Sequence, residues 1–254
     1  MCWRAYSPLS GPNFNPHHPA LQATHLMKKQ PFVAEIIGPA GVGKSTLSRL
    51  LNHRDGTVQA GLSVWGLPPT LLLRNLWFAL PVFLDLYGVG RLPWDEVKQI
   101  VRLMALHQLL KQERLQHYQT LILDEGAVFT LAKLCAFGRE NTKRRFCQKW
   151  LQDFLRQWAS TLDVIIWLDA PDSILTERIR ARNKAHRVKE ETDREIHEFL
   201  ARYRASFEKI ISELTTHRNL KVMRLDTELL AQERVADAVL SGLRKEWKTW
   251  QPPA

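Results

Sequence analysis

Apolar and polar positions along the chain follow two rhythms. Short apolar runs, Phe32-Val33-Ala34-Glu35-Ile36-Ile37, Thr120-Leu121-Ile122-Leu123-Asp124 and Val164-Ile165-Ile166-Trp167-Leu168-Asp169, read as strands, and so does Leu220-Lys221-Val222-Met223-Arg224-Leu225 near the end. A further strand falls near residues 57–65. The first three runs leave no polar face for water, which predicts a parallel sheet covered on both sides. Between them the spacing is helical. Residues 44–52 follow the first strand; Val97, Ile100, Val101, Met104 and Leu109-Leu110 form one stripe within 95–118. Phe146, Trp150, Leu151, Phe154, Leu155 and Trp158 form another. The cleanest stripe, Ile196, Phe199, Leu200, Tyr203, Phe207, Ile210, Ile211 and Leu214, predicts a helix over 192–214, and a last helix spans 228–247.

Residues 67–89 are apolar enough to raise the question of a membrane. Arg74, Pro81 and Asp85 interrupt the run, so it is expected to form a buried or ligand-lining helical hairpin rather than a span. Leu76, Trp77, Phe78, Leu80, Phe83, Leu84 and Tyr87 also admit one broad apolar face for peripheral membrane contact.

The first 30 residues carry Pro8, Pro12, Pro16 and Pro19 among polar residues and read as a flexible extension. Residues 1–26 are expected to be dispensable, with Met27 a sufficient start; no stretch there suits a signal peptide. Residues 31–247 then form the domain and 248–254 a tail.

Charge and cysteine content narrow the setting. The 254 residues include 36 Lys plus Arg against 26 Asp plus Glu, a net charge of +10, which calls for anionic partners: nucleotides, nucleic acid or an acidic membrane surface. Cys2, Cys135 and Cys147 form neither a disulfide framework nor a metal pair, which suits a reducing, cytoplasmic compartment. The histidines are scattered and give no metal cluster.

Chemistry enters at Gly38-Pro39-Ala40-Gly41-Val42-Gly43-Lys44-Ser45, which fits G-x-x-x-x-G-K-[ST] between a strand and a helix. Such a loop turns its N–H groups inward around phosphate, and the helix after it, entered through Ser45 and Thr46, adds the positive end of its dipole. Lys44 is placed to bridge the β- and γ-phosphates of ATP and Ser45 to offer its hydroxyl to Mg²⁺. Asp124-Glu125 follows a buried strand, where a Walker B acid belongs. Asp124 is expected to hold Mg²⁺ directly or through water; Glu125 is expected to be the base for an acceptor hydroxyl, the carboxylate that aims a water, or an outward-pointing acid that tunes the metal site.

Other P-loop branches lack their marks here. Asn183-Lys184-Ala185-His186 misses the aspartate that reads guanine, no LSGGQ-like signature is present, and the chain after Asp124 is short for the lid and sensors of an AAA motor. What is present is Leu168-Asp169-Ala170-Pro171, followed by Arg178, Arg180, Arg182 and Arg187. Here the chain resembles the thymidylate-kinase-like group of nucleoside and nucleotide kinases, in which a strand ending L-D-x-P leads to an arginine-rich lid; the resemblance covers about residues 31–242. It implies a P-loop kinase with about five parallel strands, helices on both faces, a helical acceptor-binding insertion at 66–118 and a lid at 178–190. Arg178 and Arg182, four apart, are expected to share a helix face, close over the triphosphate and act in catalysis with Lys44 and Glu125.

The chain departs from that group where the acceptor binds. Asp124-Glu125-Gly126 replaces the D-R-x of thymidylate kinases, and Ser63-Val64-Trp65 lacks the glutamate of the E-x-W of deoxynucleoside kinases. Trp65, Arg139 and Arg144, with Lys143 and Arg145 beside them, are the candidate acceptor contacts. The acceptor is expected to be nucleoside-like or bulkier and less polar, because residues 65–94 are rich in aromatic and aliphatic side chains. The alternative is a P-loop ATPase or nucleotide-dependent switch acting on nucleic acid, a protein or a membrane surface; a homodimer is compatible with either.

Overall fold

A computed structural model describes residues 30–87, 94–138, 149–182 and 186–249. β1 (Phe32–Ile37) runs through the glycine loop into α1 (Lys44–Arg54), and β2 (Val58–Leu62) follows. α2 (Pro69–Tyr87), α3 (Trp94–Leu110), a 3-10 turn at Glu113–Leu115, β3 (Thr120–Asp124) and α4 (Ala127–Phe137) come next. The chain ends with α5 (Lys149–Thr161), β4 (Val164–Asp169), α6 (Asp172–Arg180), α7 (Asp193–His217), β5 (Lys221–Asp226) and α8 (Gln232–Thr249).

All strand pairs are parallel, in the order β2-β3-β1-β4-β5. β1 lies at the centre with every residue buried, as its unbroken apolar pattern demands. Its pairing aligns Ile36 with Asp124 on one side and Ile37 with Trp167 on the other, so the loops after β1, β3 and β4 open at one end of the sheet. That is where open parallel sheets bind ligands. β5, at an edge, has only exposed and half-buried residues. β2, at the other edge, slips register between Ala60 and Leu62, with Gly61 at φ +85. Such a bulge bends the strand and re-aims the chain that follows, here towards Trp65.

Several elements end elsewhere than the sequence pattern suggests. α3 stops at Leu110 instead of continuing to Tyr118, because Gln112 turns extended and the 3-10 turn carries Leu115 into the core. α6 stops at Arg180, so Arg182 lies beyond the helix that carries Arg178. α7 starts at a capping box in which Thr192 and Glu195 bond each other's backbone, and it runs past Leu214 to His217. Residues 69–87 form a single helix with Pro81 inside it, not a hairpin; its partner is α3.

Ala79, Phe83, Val97, Ile100, Val101 and Leu134 join α2, α3 and α4 in a small second core. The buried Asn75 exchanges amide hydrogen bonds with Gln108 across the α2–α3 contact. Of the broad apolar face expected on α2, Phe83 is buried, whereas Trp77 and Phe78, with Leu73, stay exposed. Among the described residues, no helix is long and apolar enough to cross a membrane.

The end of β4 is clamped from α7. Arg204 donates through Nε and Nη2 to both oxygens of Asp169, through Nη1 to Asp172 and through Nη2 to the Ala170 carbonyl. A fork of charge-assisted bonds holds Asp169, Pro171 and the start of α6 as one corner. Arg204→Ala should lower stability by about 2 kcal/mol, in the range for hydrogen bonds to charged groups that are not fully buried. Urea unfolding of the two proteins checks this.

Candidate active site

The loop after β1 passes directly over β4: a Cβ on Gly38 would lie 2.2 Å from the Leu168 carbonyl oxygen, so only glycine fits. Gly43, at φ +97, delivers the chain into α1. Lys44 folds back and donates from Nζ to the carbonyls of Gly38 (2.7 Å) and Pro39 (3.0 Å), while its ammonium lies 5.5 Å from the Phe129 ring. Burial lowers the Lys44 pKa to about 8 and the Arg182 charge adds to this, against the opposing pull of Asp124 and Glu125. These four charged groups therefore share one crevice.

Asp124 ends β3 beside the loop. Burial pushes its carboxyl above the ordinary range, with Glu125 adding to this, while Lys44 and the Ser45 hydroxyl oppose it. Its Oδ1 is buried without a hydrogen-bond partner. A buried, undonated carboxylate oxygen beside a serine hydroxyl fits a hard cation such as Mg²⁺, which takes one or two protein oxygens and completes its shell from phosphate and water. Among the described residues there is no cluster of three or more His, Cys, Asp or Glu that would hold a metal by protein ligands alone.

Glu125 is, among the described residues, the only non-glycine with positive φ (62°). This conformation costs about 1 kcal/mol and persists where the surroundings over-determine it. One restraint is Trp65, whose Nε1–H donates to Glu125 Oε2. A second lies behind it: Glu35, the one carboxylate in β1, accepts the N–H groups of Val128 and Phe129, each at 2.9 Å, at the start of α4. Burial pushes Glu35 up to about 7, although the N–H groups of Phe129, Val128, Ala127 and Gly126 oppose this. A Cβ on Gly126 would meet the Glu35 carboxylate at 2.8 Å, so glycine is required between Glu125 and α4.

Glu125 also faces Tyr203, whose hydroxyl burial and the Glu125 charge together push up to about 12. Tyr203 belongs to an aromatic wall: it stacks with Phe129 at 5.9 Å and packs on Phe137 at 5.0 Å and Phe199 at 5.1 Å. The Arg187 guanidinium lies 5.0 Å from the Phe137 ring.

Arg178 and Arg182, expected to act alike, have different surroundings. Arg178 donates to the hydroxyl and the carbonyl of Thr227, both at 3.0 Å. Both arginines line a cavity of about 280 Å³ with Val42, Thr46, Leu168 and Leu230. Larger hollows, about 910 Å³ beside Arg54 and Arg244 and about 800 Å³ beside His107 and Asp163, lie away from the loop and hold none of these groups. The smaller cavity is the candidate because it adjoins the P-loop.

The structure thus brings together the loop, Asp124, Glu125, Trp65 and Arg182, with Arg178 beside them. Arg139, Lys143, Arg144, Arg145 and residues 183–185 of the lid lie outside the described residues, as do residues 1–29 and Cys147. Sequence reasoning missed Glu35, Tyr203 and Thr227. Glu35 had left one trace, a lone carboxylate in an otherwise apolar buried strand.

Residues 35–198 match the family described as an AAA domain. No curated protein matches in sequence. Among solved structures, deoxyadenosine kinase from M. mycoides with products dCMP and a flexible dCDP bound is 17% identical. The alignment covers 84% of this chain and all (100%) of that one, at a TM-score of 0.54. The same enzyme with bound dATP gives 17% identity, the same coverage (84% and 100%) and a TM-score of 0.50. These likenesses show the P-loop kinase fold and do not single out the thymidylate-kinase-like group.

Glu35 gives this site a pH signature. Its pKa is raised from 4.5 to about 7, so its favourable contribution is complete below about 4.5 and is lost as pH rises through about 7. Relative to Glu35→Gln, the wild type should lose up to about 3 kcal/mol of stability between pH 4.5 and 8. Urea unfolding at intervals across that range tests this; parallel profiles would contradict it.

Proposed function

The chain belongs to the AAA domain family, and from that premise we propose that it transfers the γ-phosphate of Mg-ATP to a hydroxyl of a small-molecule acceptor. The observation that carries this reading is the convergence of Lys44, Asp124 and Glu125 in one crevice, with Glu125 held by Trp65. The ATP phosphates would lie against the loop from Gly38 to Thr46, and the base would enter the cavity beside Arg178 and Thr227. The acceptor, nucleoside-like or bulkier and richer in apolar surface, would rest between Trp65 and the wall of Phe129, Phe137 and Tyr203.

Glu125 takes the proton from the acceptor hydroxyl as that oxygen bonds to the γ-phosphorus; the bond from phosphorus to the β–γ bridging oxygen breaks, and ADP leaves. Lys44 and Arg182 offset the charge that develops on the transferring group. Ser45 and Asp124 are the residues that would hold Mg²⁺, which supplies further positive charge to the phosphate oxygens when bound. Arg187 closes over the aromatic wall and limits access of water, which would otherwise accept the phosphate.

The exposed Leu73, Trp77 and Phe78 on α2 favour a second reading, in which Glu125 orients water and hydrolysis drives action on a protein, nucleic acid or membrane surface. One experiment separates the two: transfer of label from γ-labelled ATP to pooled nucleosides, nucleotides, sugars and polyprenols, with Lys44→Ala as the blank. Labelled product supports the transferase, and free phosphate alone supports the second reading.

With an acceptor in hand, Glu125→Gln should lower kcat by about 10²- to 10⁴-fold while leaving ATP affinity within about twofold. Arg182→Ala should act chiefly on kcat, whereas Arg178→Ala should raise the KM for ATP, because it lines the cavity from its anchor on Thr227. Steady-state kinetics over both substrates reads all three; equal effects of the two arginines on both parameters would remove this division of roles.

A further inference from the structure

Trp65 meets more than Glu125. The Arg102 guanidinium lies 4.2 Å from the centre of its rings, and the Lys133 ammonium lies 5.7 Å from it. The two cations arrive from different helices, Arg102 from α3 and Lys133 from α4. Both are half-buried, and among the described residues neither has a carboxylate or other hydrogen-bonding partner. Lys133 is also the only charged residue in the eleven of α4, whose other side chains are almost all apolar.

Contact with an indole face offsets only part of what a cation loses on leaving water. Two such cations on one ring, neither bonded to a carboxylate, place positive charge over the indole whose N–H holds the Glu125 carboxylate. An anion approaching Glu125 alone would be repelled; beside Arg102 and Lys133 it gains a bidentate fork and a second positive charge. A neutral acceptor would leave both cations further dehydrated and unpaired.

We infer that Arg102 and Lys133 form an anion subsite on the acceptor side of Trp65, and that the acceptor carries a phosphate or carboxylate besides the hydroxyl that is phosphorylated. The acceptor half of this inference rests on the phosphotransferase reading above. The subsite itself does not.

Two measurements separate them. In the first, inorganic phosphate and acetate are titrated into the ADP-saturated protein while the Trp65 indole N–H resonance, assigned with Trp65→Phe, is followed by NMR. A saturable shift, abolished in the Arg102→Gln/Lys133→Gln double variant while ADP affinity and melting temperature are kept, supports the subsite. A resonance unmoved by both anions, or moved equally in the double variant, overturns it. A response to only one of the two names the anion.

In the second, γ-labelled ATP is offered matched acceptors: ribose and ribose 5-phosphate, nucleosides and their 5′-monophosphates, hydroxy acids and their amides. Transfer to the charged members is expected, with KM for them raised about tenfold by each single variant and kcat largely kept. Equal use of neutral and charged partners overturns the acceptor class. An anion response at Trp65 with no transfer to any acceptor overturns the transferase reading and leaves the subsite standing.

Discussion

A single buried carboxylate sets the geometry on which the crevice depends. β1 is paired on both sides and covered on both faces, so Glu35 has no route to water and must find donors inside the protein. It finds them in the first N–H groups of α4, which a helix leaves free. That bond fixes where α4 begins, and therefore how sharply the chain turns after β3. Glu125 occupies the turn, in a backbone conformation that a residue with a side chain rarely adopts. Gly126 completes it because nothing larger fits against Glu35. The P-loop leaves β1 two residues beyond Glu35, at the same end of the sheet, so one element positions both the ammonium of Lys44 and the carboxylate opposite it.

The site is costly to fold. It gathers a desolvated lysine, a carboxylate oxygen without a donor, a strained glutamate and two cations over one indole, each of which disfavours the compact state taken alone. Their charges partly cancel, since Asp124 and Glu125 support the charged form of Lys44 against burial. The remainder is carried by ordinary packing: Leu121, Ile122 and Leu123 are fully buried in β3, and Trp158 fills the space under α5. Groups held at such cost are ready to exchange their present partners for a ligand's.

What could be read in the sequence was what is local. The strands around Ile36, Ile122 and Ile166 announced themselves because a covered parallel strand must be apolar throughout, and the P-loop because its glycines, lysine and serine are contiguous. The helix stripe from Ile196 to Leu214 was equally plain, though its Tyr203 read as core and turned out to face Glu125 as well. What stayed hidden needs two distant segments to meet. Nothing near Trp65 indicates Glu125, because the contact depends on β2 lying beside β3 and on the bulge at Gly61. Likewise the anchoring of Arg178 by Thr227 waits on β5 taking its place beside β4. The end of α3 was missed for a different reason: periodicity continued past Leu110, while the need to bury Leu115 turned the chain.

The back-folded Lys44 closes the P-loop into a ring, with the backbone from Gly38 onward joined to its own side chain through two carbonyls. A ring has fewer shapes than an open strip of glycine-rich chain, so folding alone settles most of the loop's form. For the phosphotransferase proposed above, arrival of a nucleotide would then amount to one ammonium trading carbonyl oxygens for phosphate oxygens, with little chain left to organise.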